Sequence, residues 1–494
     1  MSKPEAAIGF AESLEPQRGV SAQQSDGCWT VAQIVEATQG RLIQGQREAL
    51  ASSISIDSRK LTSGQAFVAI RGASFDGHQF IDSAIAHACA CVIVDEQGRS
   101  ILKPDWKVPV VVVADTTQAL GNLARYHRRR LKARVVAITG SCGKTTTKDL
   151  IAHLLDDDGS VLKSYGNQNN HIGVPLTLLA LRPQHRIAIV EMGTNHPGEI
   201  AALGRIAEPD IAVITNVGPA HLEFLGSIEG VMQEKLSLLA ALAADGNAIL
   251  PGDQLDVCLE ATRRLPVGAR VVSAGTSDRS DLQAVDVQRS ANGMVMRLRD
   301  LPQQWTVPLS GFHNVENAIL AIACAWVMGV PLSVCRSRLA TFEATAQRSE
   351  IIRCQTITIL NDCYNANPLS VARALETLRD MDVRRRIAVV GDMLELGDFA
   401  PSAHEAIGRM ASQLGIDAVM AIGDYAECVA HGARTARSAV VATFRTVDDL
   451  LEQLPRVLEP GDGVLVKGSR KLNLERVTDF LLQKYAPTRG ACNK

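Results

Sequence analysis

Continuous runs of apolar, mostly β-branched residues recur along the chain with helical stretches between them, and this rhythm limits the possible folds more than any other feature. "RVVAITG" (134–140), "RIAIVEMG" (186–193) and "DIAVITNVG" (210–218) are each followed by helical periodicity. A strand that is apolar throughout is covered on both faces, and the crossing helices supply the cover, so the pattern predicts a doubly wound parallel α/β sheet. The rhythm returns after about Glu343 with "TITILND", "RIAVVGD", "DAVMAIGD" and "GVLVKGS". A second, Rossmann-like doubly wound sheet follows from it, this one without a phosphate-loop motif. Ahead of both, over 29–113, the shorter runs "ISIDS", "QAFVAI", "ACVIV" and "VPVVVV" and one helix near 81–88 predict a small α/β module. A chain of 494 residues is too long for one core. The expected division is a flexible extension at 1–27, then domains at 28–114, 115–343 and 344–494.

In open parallel sheets, ligands bind beyond the carboxyl ends of the strands. Here those ends read "TGSCGKT", "EMG", "TNVGPAH", "NDCYN", "GDM" and "VKGS". Two domains each present a polar rim, and a cleft between the rims is the expected active site.

"AITGSCGKTTTK" (137–148) departs from the usual phosphate loop, G-x-x-x-x-G-K-[ST], which would place glycine where Ile138 stands. Gly140 and Gly143 still let the backbone amides turn inward, and a helix starting near Lys144 aims its positive end at an anion. The loop residues Ser141 and Cys142, with Thr146 in the first helical turn, complete the cradle. Lys144 reaches toward the outer phosphates and Thr145 offers a hydroxyl to Mg²⁺. The bland reading is a strand-to-helix turn with a chance G-K-T, and the correct flanks weigh against it.

Glu191 ends the next apolar strand, where a carboxylate is costly unless something compensates it: a metal ion, or a helix cap or salt bridge. His221 follows at the same rim, as a ligand or as an ordinary polar loop histidine. Lys235, in the helical "GVMQEKLSLLAAL", reads by periodicity as a solvated lysine with no role.

Lys plus Arg number 51 against 53 Asp plus Glu, so the net charge of −2 offers no general attraction to nucleic acid or to a membrane surface. The basic run "HRRRLKAR" (127–134) accordingly reads as a solvated helix face. Eleven scattered cysteines without zinc-site spacing read as reduced, mostly buried thiols of a cytoplasmic protein, and no apolar stretch reaches the ~18 residues of a membrane span.

Longer motifs carry a resemblance. "GSCGKTTTK", "GNQNNHIGVPLTLL", "EMGTNHPGEI", "NVGPAHLEFLGS", "GFHNVENAILA", "NDCYNANPLS", "GDMLELG" and "LVKGSR" closely resemble the bacterial Mur ligases over about 30–477, and "ISIDSRKLTSGQAFVAIRGASFDGHQFI" is similar to the family's N-terminal uridine-nucleotide module. The shortened loop is the family's own form. The resemblance implies an ATP-dependent, ADP-forming amide ligase that makes an acyl phosphate on a substrate carboxylate and lets an amine attack it, in the synthesis of a peptidoglycan precursor. By it Lys144 is the phosphate lysine, Thr145 and Glu191 hold one Mg²⁺, and His221 with a carbamylated Lys235 holds a second. It makes Asn314 and Asn317 base contacts, Asp362 a ribose contact, and Arg348 a third-domain arginine that reaches the γ-phosphate when the cleft closes.

Asn365 and Asn367 stand in "YNAN", where relatives that add diaminopimelate or lysine carry an arginine-bearing "DNPR" type motif, which favours D-alanyl-D-alanine as the amine and UDP-N-acetylmuramoyl-tripeptide as the acid. Asp57, Ser58 and Arg59 fall in the uridine-nucleotide module. The implied enzyme is a monomer acting on small molecules, without membrane insertion. Two departures stand out: Gln347 where the family has glycine, and Ser237 where an acidic residue is common. Rival readings are a relative that adds an amino acid to folate, against which the N-terminal module argues, or to an earlier muramyl peptide, and a non-ligating scaffold, against which the presence of Lys144, Glu191 and His221 argues.

Overall fold

The computed structural model describes residues 28–72, 75–103, 106–156, 158–435 and 440–485. The extension expected at 1–27 lies outside them. Three sheets carry the fold. The first has five strands in the order Arg41–Gln44, Val110–Val113, Cys91–Asp95, Ala66–Val68, Ile54–Ser55, parallel except at the Arg41–Gln44 edge. Its helix Ile81–Ala86 lies where periodicity places one. A further helix, Val31–Thr38, was not read from the sequence; it starts at a capping box in which Thr30 and Gln33 satisfy each other's backbone amides.

The central sheet has nine strands. Arg134–Thr139 lies between Ile187–Glu191 and Ile211–Ile214, all parallel and in a register that pairs Glu191 with Ile138 and Ile214 with Thr139. Three strand ends thus finish level, which is what gathers their terminal side chains. Beyond Arg270–Gly275 the sheet continues through Leu282–Ser290, Gly293–Leu298 and Gln304–Val307, the last three antiparallel. This extension departs from the purely parallel sheet the sequence suggests.

The third sheet runs Glu350–Arg353, Thr358–Asn361, Asp462–Lys467, Arg385–Gly391, Ala418–Ile422, Val440–Phe444, parallel apart from its first strand. Its rim faces that of the central sheet. No helix among the described residues is long and apolar enough to cross a membrane.

The basic run proves to be more than a solvated face. It closes the helix Thr116–Arg130, where Arg125 and Arg129 pair with Glu208, and Arg128 donates to the Ala207 and Glu208 carbonyls and pairs with Asp210. Guanidinium groups at the C-terminal end of the helix Glu199–Ala207 satisfy its last carbonyls and complement its dipole. His127 is buried and bonds the Leu181 carbonyl. The run is an internal tie between helices.

Candidate active site

The loop between Thr139 and Lys144 is held open from behind. Ser141 N donates to the Asn216 carbonyl at 3.0 Å, Cys142 N to Asn216 Oδ1 at 2.9 Å, and Thr215 Oγ1 to the Cys142 carbonyl at 2.5 Å. Ser141 Oγ accepts from Gly218 N at 3.0 Å. The "TNVG" end of the neighbouring strand therefore shapes the loop, and no glycine is needed at Ile138, which is buried strand. Two glycines are needed. Gly143 sits at φ +81, and a Cβ there would lie 2.2 Å from Asn317 Oδ1; at Gly140 one would meet Thr215 Oγ1 at 2.0 Å.

The helix Lys144–Leu155 starts on the loop. Lys144 Nζ donates to the Gly140 carbonyl at 2.8 Å. Burial pushes its pKa down, Glu191 and Cys142 oppose that, and the charge of Arg348 adds to the depression. Arg348 comes from the other domain, so two cations look onto one space before any anion enters it. Thr145 Oγ1 donates to Glu191 Oε2 at 2.8 Å, and both residues are buried. Glu191 Oε1 accepts from Asn169 Nδ2 at 2.9 Å, while buried Lys148 stands 3.5 Å from Oε2.

A cavity of about 540 Å³ opens over this group. It is lined from the central domain by Ser141, Cys142, Gly143, Lys144, Thr145, Thr146, Glu191, His221, Asn314 and Asn317, and from the third by Arg348, Asp362, Asn365 and Asn367. Asn317 Nδ2 donates to Asn314 Oδ1 at 3.0 Å, and Asn314 Nδ2 to the Ser310 carbonyl at 2.7 Å, which fixes both amides beneath Gly143. The Arg348 guanidinium lies 4.0 Å from the centroid of Tyr364. It is flanked by Gln347 at φ 64 and Ser349 at φ 50. The Gln347 backbone is left-handed where the family has glycine, so the departure changes the residue and keeps a path that glycine would take without strain.

Asp362 Oδ1 accepts from Ser349 N at 2.9 Å, and its Oδ2 meets buried Lys467 Nζ at 2.5 Å. Asn367 caps the helix Pro368–Arg379 and donates across the cleft to the Ser141 carbonyl at 3.1 Å. Both ends of that amide are in use, and its place is the seam between the domains. Asn365 accepts from Lys467 through its carbonyl.

Lys235 contradicts the sequence reading of a solvated lysine. It is 0 % exposed, and its Nζ has no hydrogen-bond partner. Burial drives its pKa well below the ordinary 10.5, the Lys144 charge acts in the same direction, and Glu234 and Glu199 oppose. The helix Ile228–Leu236 buries Val231, Glu234, Lys235 and Leu236, so its inward face carries two ionisable groups that periodicity assigns to solvent. Glu234 is satisfied by Gly198 N at 2.7 Å and Ile200 N at 2.8 Å. Ser237, the second departure, donates to the Glu234 carbonyl at 2.7 Å.

The donor set fits Mg²⁺. Among the described residues no group of three or more His, Cys, Asp or Glu stands ready to hold a metal, but Mg²⁺ takes one or two protein oxygens and completes its shell with phosphates and water. Thr145 and Glu191 supply such oxygens. The buried Lys235 Nζ, with no hydrogen-bond partner and its ammonium form disfavoured, fits conversion to a carbamate, whose hard oxygens a bound metal ion would satisfy.

Ser58 and Arg59 are not among the residues lining the cavity; they lie in the first module, where Arg59 forms a two-point pair with Asp57 at 2.9 Å. The residues that sequence reasoning missed are Lys148, Asn169, Lys467 and Glu395, the last facing His221 Nδ1 at 2.6 Å. All four stand in or beside the motifs quoted above, and no local pattern marks them.

A phosphate loop facing an arginine of a second α/β domain across a shared cleft defines a nucleotide-dependent group-transfer enzyme. Family models match three segments of the chain: Mur ligase family, catalytic domain, at 51–128; Mur ligase middle domain at 138–325; and Mur ligase, glutamate ligase domain, at 347–470. The chain is 36% identical over 458 residues to the UDP-N-acetylmuramoyl-tripeptide--D-alanyl-D-alanine ligase of Bacillus subtilis, covering 92% of this chain and 98% of that one. It is 35% identical over 459 residues to the protein of the same name from Escherichia coli, with the same coverage. The crystal structure of MurF from Acinetobacter baumannii superimposes with a TM-score of 0.83 at 31% identity, over 92% of this chain and 99% of that one. The chain belongs to the Mur ligase family.

Proposed function

We propose that this enzyme joins D-alanyl-D-alanine to UDP-N-acetylmuramoyl-tripeptide at the expense of ATP, as the names of its relatives describe for them, releasing ADP and phosphate in the cytoplasm as a monomer. The observation that carries the reading is the meeting of Lys144 and Arg348, from two domains, over the Thr145–Glu191 pair in one cavity.

The chemistry follows from what that cavity offers. Forming an amide from a carboxylate needs a leaving group, so the terminal phosphoryl group of ATP passes to the tripeptide carboxylate, breaking the bond to ADP and giving an acyl phosphate. The amine of D-alanyl-D-alanine then attacks the acyl carbon, loses a proton and expels phosphate. Catalysis is alignment and charge neutralisation. Lys144 and the loop amides from Gly140 to Thr146 grip the phosphates, and Arg348 closes on the one that moves. Asn314 and Asn317 face the base and Asp362 the ribose. Asn365 and Asn367 line the side where the amine arrives, while residues 28–114, with Ser58 and Arg59, hold the uridine end of the acid substrate. Thr145 and Glu191 would hold one Mg²⁺, and His221 with a carbamylated Lys235 a second; bound there, the ions supply positive charge to the phosphate oxygens.

The test is phosphate release from ATP with UDP-N-acetylmuramoyl-tripeptide, with and without D-alanyl-D-alanine, and chromatography of the nucleotide product. Turnover is expected only with both substrates, as ADP and phosphate in equal amounts. AMP and pyrophosphate would sink the acyl-phosphate route.

Arg348→Ala separates closed-state chemistry from resting affinity. Arg348 approaches the phosphates only from the third domain, so kcat should fall on the order of 10²-fold, the scale of one preorganised charge, with calorimetric ATP affinity changed by less than about 3-fold. Equal losses in both would place Arg348 on ATP in the open enzyme.

A further inference from the structure

His221 belongs to the central domain, and the group that holds it does not. Its Nδ1 faces Glu395 Oε2 at 2.6 Å across 174 positions of sequence, from the loop that follows the third-domain strand Arg385–Gly391. The contact is built on both sides. His221 stands at φ 53 and Glu395 at φ 63, a backbone region that such residues adopt when their surroundings impose it. Glu223 N donates to the Glu395 carbonyl at 3.2 Å, and Leu222 packs against the third-domain core. Behind Glu395 the loop is pinned to its own domain: Met393 N donates to His404 Nε2 at 2.8 Å and Leu394 N to Ser469 Oγ at 3.0 Å.

We propose that Glu395 is a positioning residue delivered by domain closure. A carboxylate opposite Nδ1 accepts its proton, so the ring is held in one orientation and its neutral form is the Nδ1–H tautomer, on a side chain that lines the cavity. When the domains part, the carboxylate leaves with the third domain and His221 loses both its orientation and its fixed tautomer. Closure thereby completes the site from the histidine side as Arg348 does from the phosphate side. Only the kinetic consequence rests on the proposed role of His221; the tautomer and the closure do not.

The variants are Glu395→Ala and Glu395→Gln in the full-length protein, with Glu395→Gln keeping an oxygen that accepts from Nδ1 while losing the charge. Nitrogen-15 spectra of histidine-labelled protein, with the His221 signal identified by its loss in His221→Asn and the pH raised until the ring is neutral, should show the remaining proton on Nδ1 when a non-hydrolysable ATP analogue and UDP-N-acetylmuramoyl-tripeptide are bound without metal. Glu395→Ala should give averaged ring signals under the same conditions, and Glu395→Gln the wild-type pattern. Kinetically, Glu395→Ala should lose about 10- to 100-fold in kcat with KM for ATP changed less than about 3-fold, and Glu395→Gln should recover part of the loss. If His221 keeps the Nδ1–H pattern in Glu395→Ala, or if wild type shows averaged signals in the closed complex, the proposal is overturned. A wild-type enzyme that fails to use D-alanyl-D-alanine while showing the tautomer pattern would overturn the proposed function and leave this inference standing.

Discussion

Lys144→Ala is expected to lower kcat by at least about 10²-fold, on the order of 3 kcal/mol of transition-state stabilisation, the scale of one preorganised group aimed at developing charge. The size of the effect follows from where the ammonium sits. It arches over the loop mouth onto the Gly140 carbonyl, so it is already placed over the anion site and needs little reorganisation. It is also partly buried in the cavity wall, and that burial depresses its pKa. A charge in such a place acts with less screening than one at the surface. The loss should fall on kcat more than on ATP affinity, because the loop amides and the start of the helix remain to bind the ground-state phosphates. Glutamine at the same position should do no better than alanine, since the missing quantity is charge. Rapid-quench measurement of acyl-phosphate formation checks the assignment: an intermediate that forms at the wild-type rate in Lys144→Ala would remove Lys144 from phosphoryl transfer.

Neighbours in sequence made part of the site legible. Gly140, Gly143, Lys144 and Thr145 lie in one short stretch, and a loop between strand and helix can be read there without knowing the rest of the chain. Glu191 was readable for a different reason: a carboxylate closing an apolar strand asks for compensation, and Thr145, Asn169 and Lys148 provide it. The parallel parts of the central and third sheets were legible because their strands are apolar on both faces. The antiparallel extension at Leu282–Ser290 and Gly293–Leu298 was not, because polar residues break up its apolar ones, with Ala284 alone buried in the first strand, and a search for unbroken apolar runs passes over them. Contacts between domains left no local trace. Glu395 meets His221 and Asn367 meets the phosphate loop only because two sheets close on each other, and Lys467 meets Asp362 only because two strands far apart in sequence pair within the third sheet. Periodicity alone assigns Lys235 to solvent because an inward helix face is assumed apolar. That assumption fails at Glu234, which caps the start of the helix Glu199–Ala207, and at Lys235, which has no partner.

Lys235→Ala and Lys235→Arg are both expected to lose about 10²-fold or more in kcat, on the same electrostatic scale, and the arginine variant is the more telling. An ammonium buried beside Lys144 is repelled and desolvated, so the group is driven toward the neutral amine. A neutral amine can bond to the carbon of dissolved CO₂, losing one proton to solvent, and the product carries two anionic oxygens of the hard kind that Mg²⁺ prefers. Arginine cannot follow, since its guanidinium stays charged and is no nucleophile at neutral pH. A lysine on a solvated face would tolerate arginine almost silently, and that comparison decides between the two readings. Because a guanidinium in a fully buried site can also unsettle the fold, thermal melting should accompany the kinetics, and Lys235→Glu supplies a carboxylate without a carbamate and should recover part of the alanine loss. The modification has its own readout. With ¹³C-bicarbonate, wild-type protein should show a carbamate carbon signal that is missing from Lys235→Ala, and exhaustive removal of CO₂ should lower activity reversibly. Full activity in Lys235→Arg, or the same carbon signal in Lys235→Ala, would leave Lys235 a buried amine without a part in catalysis.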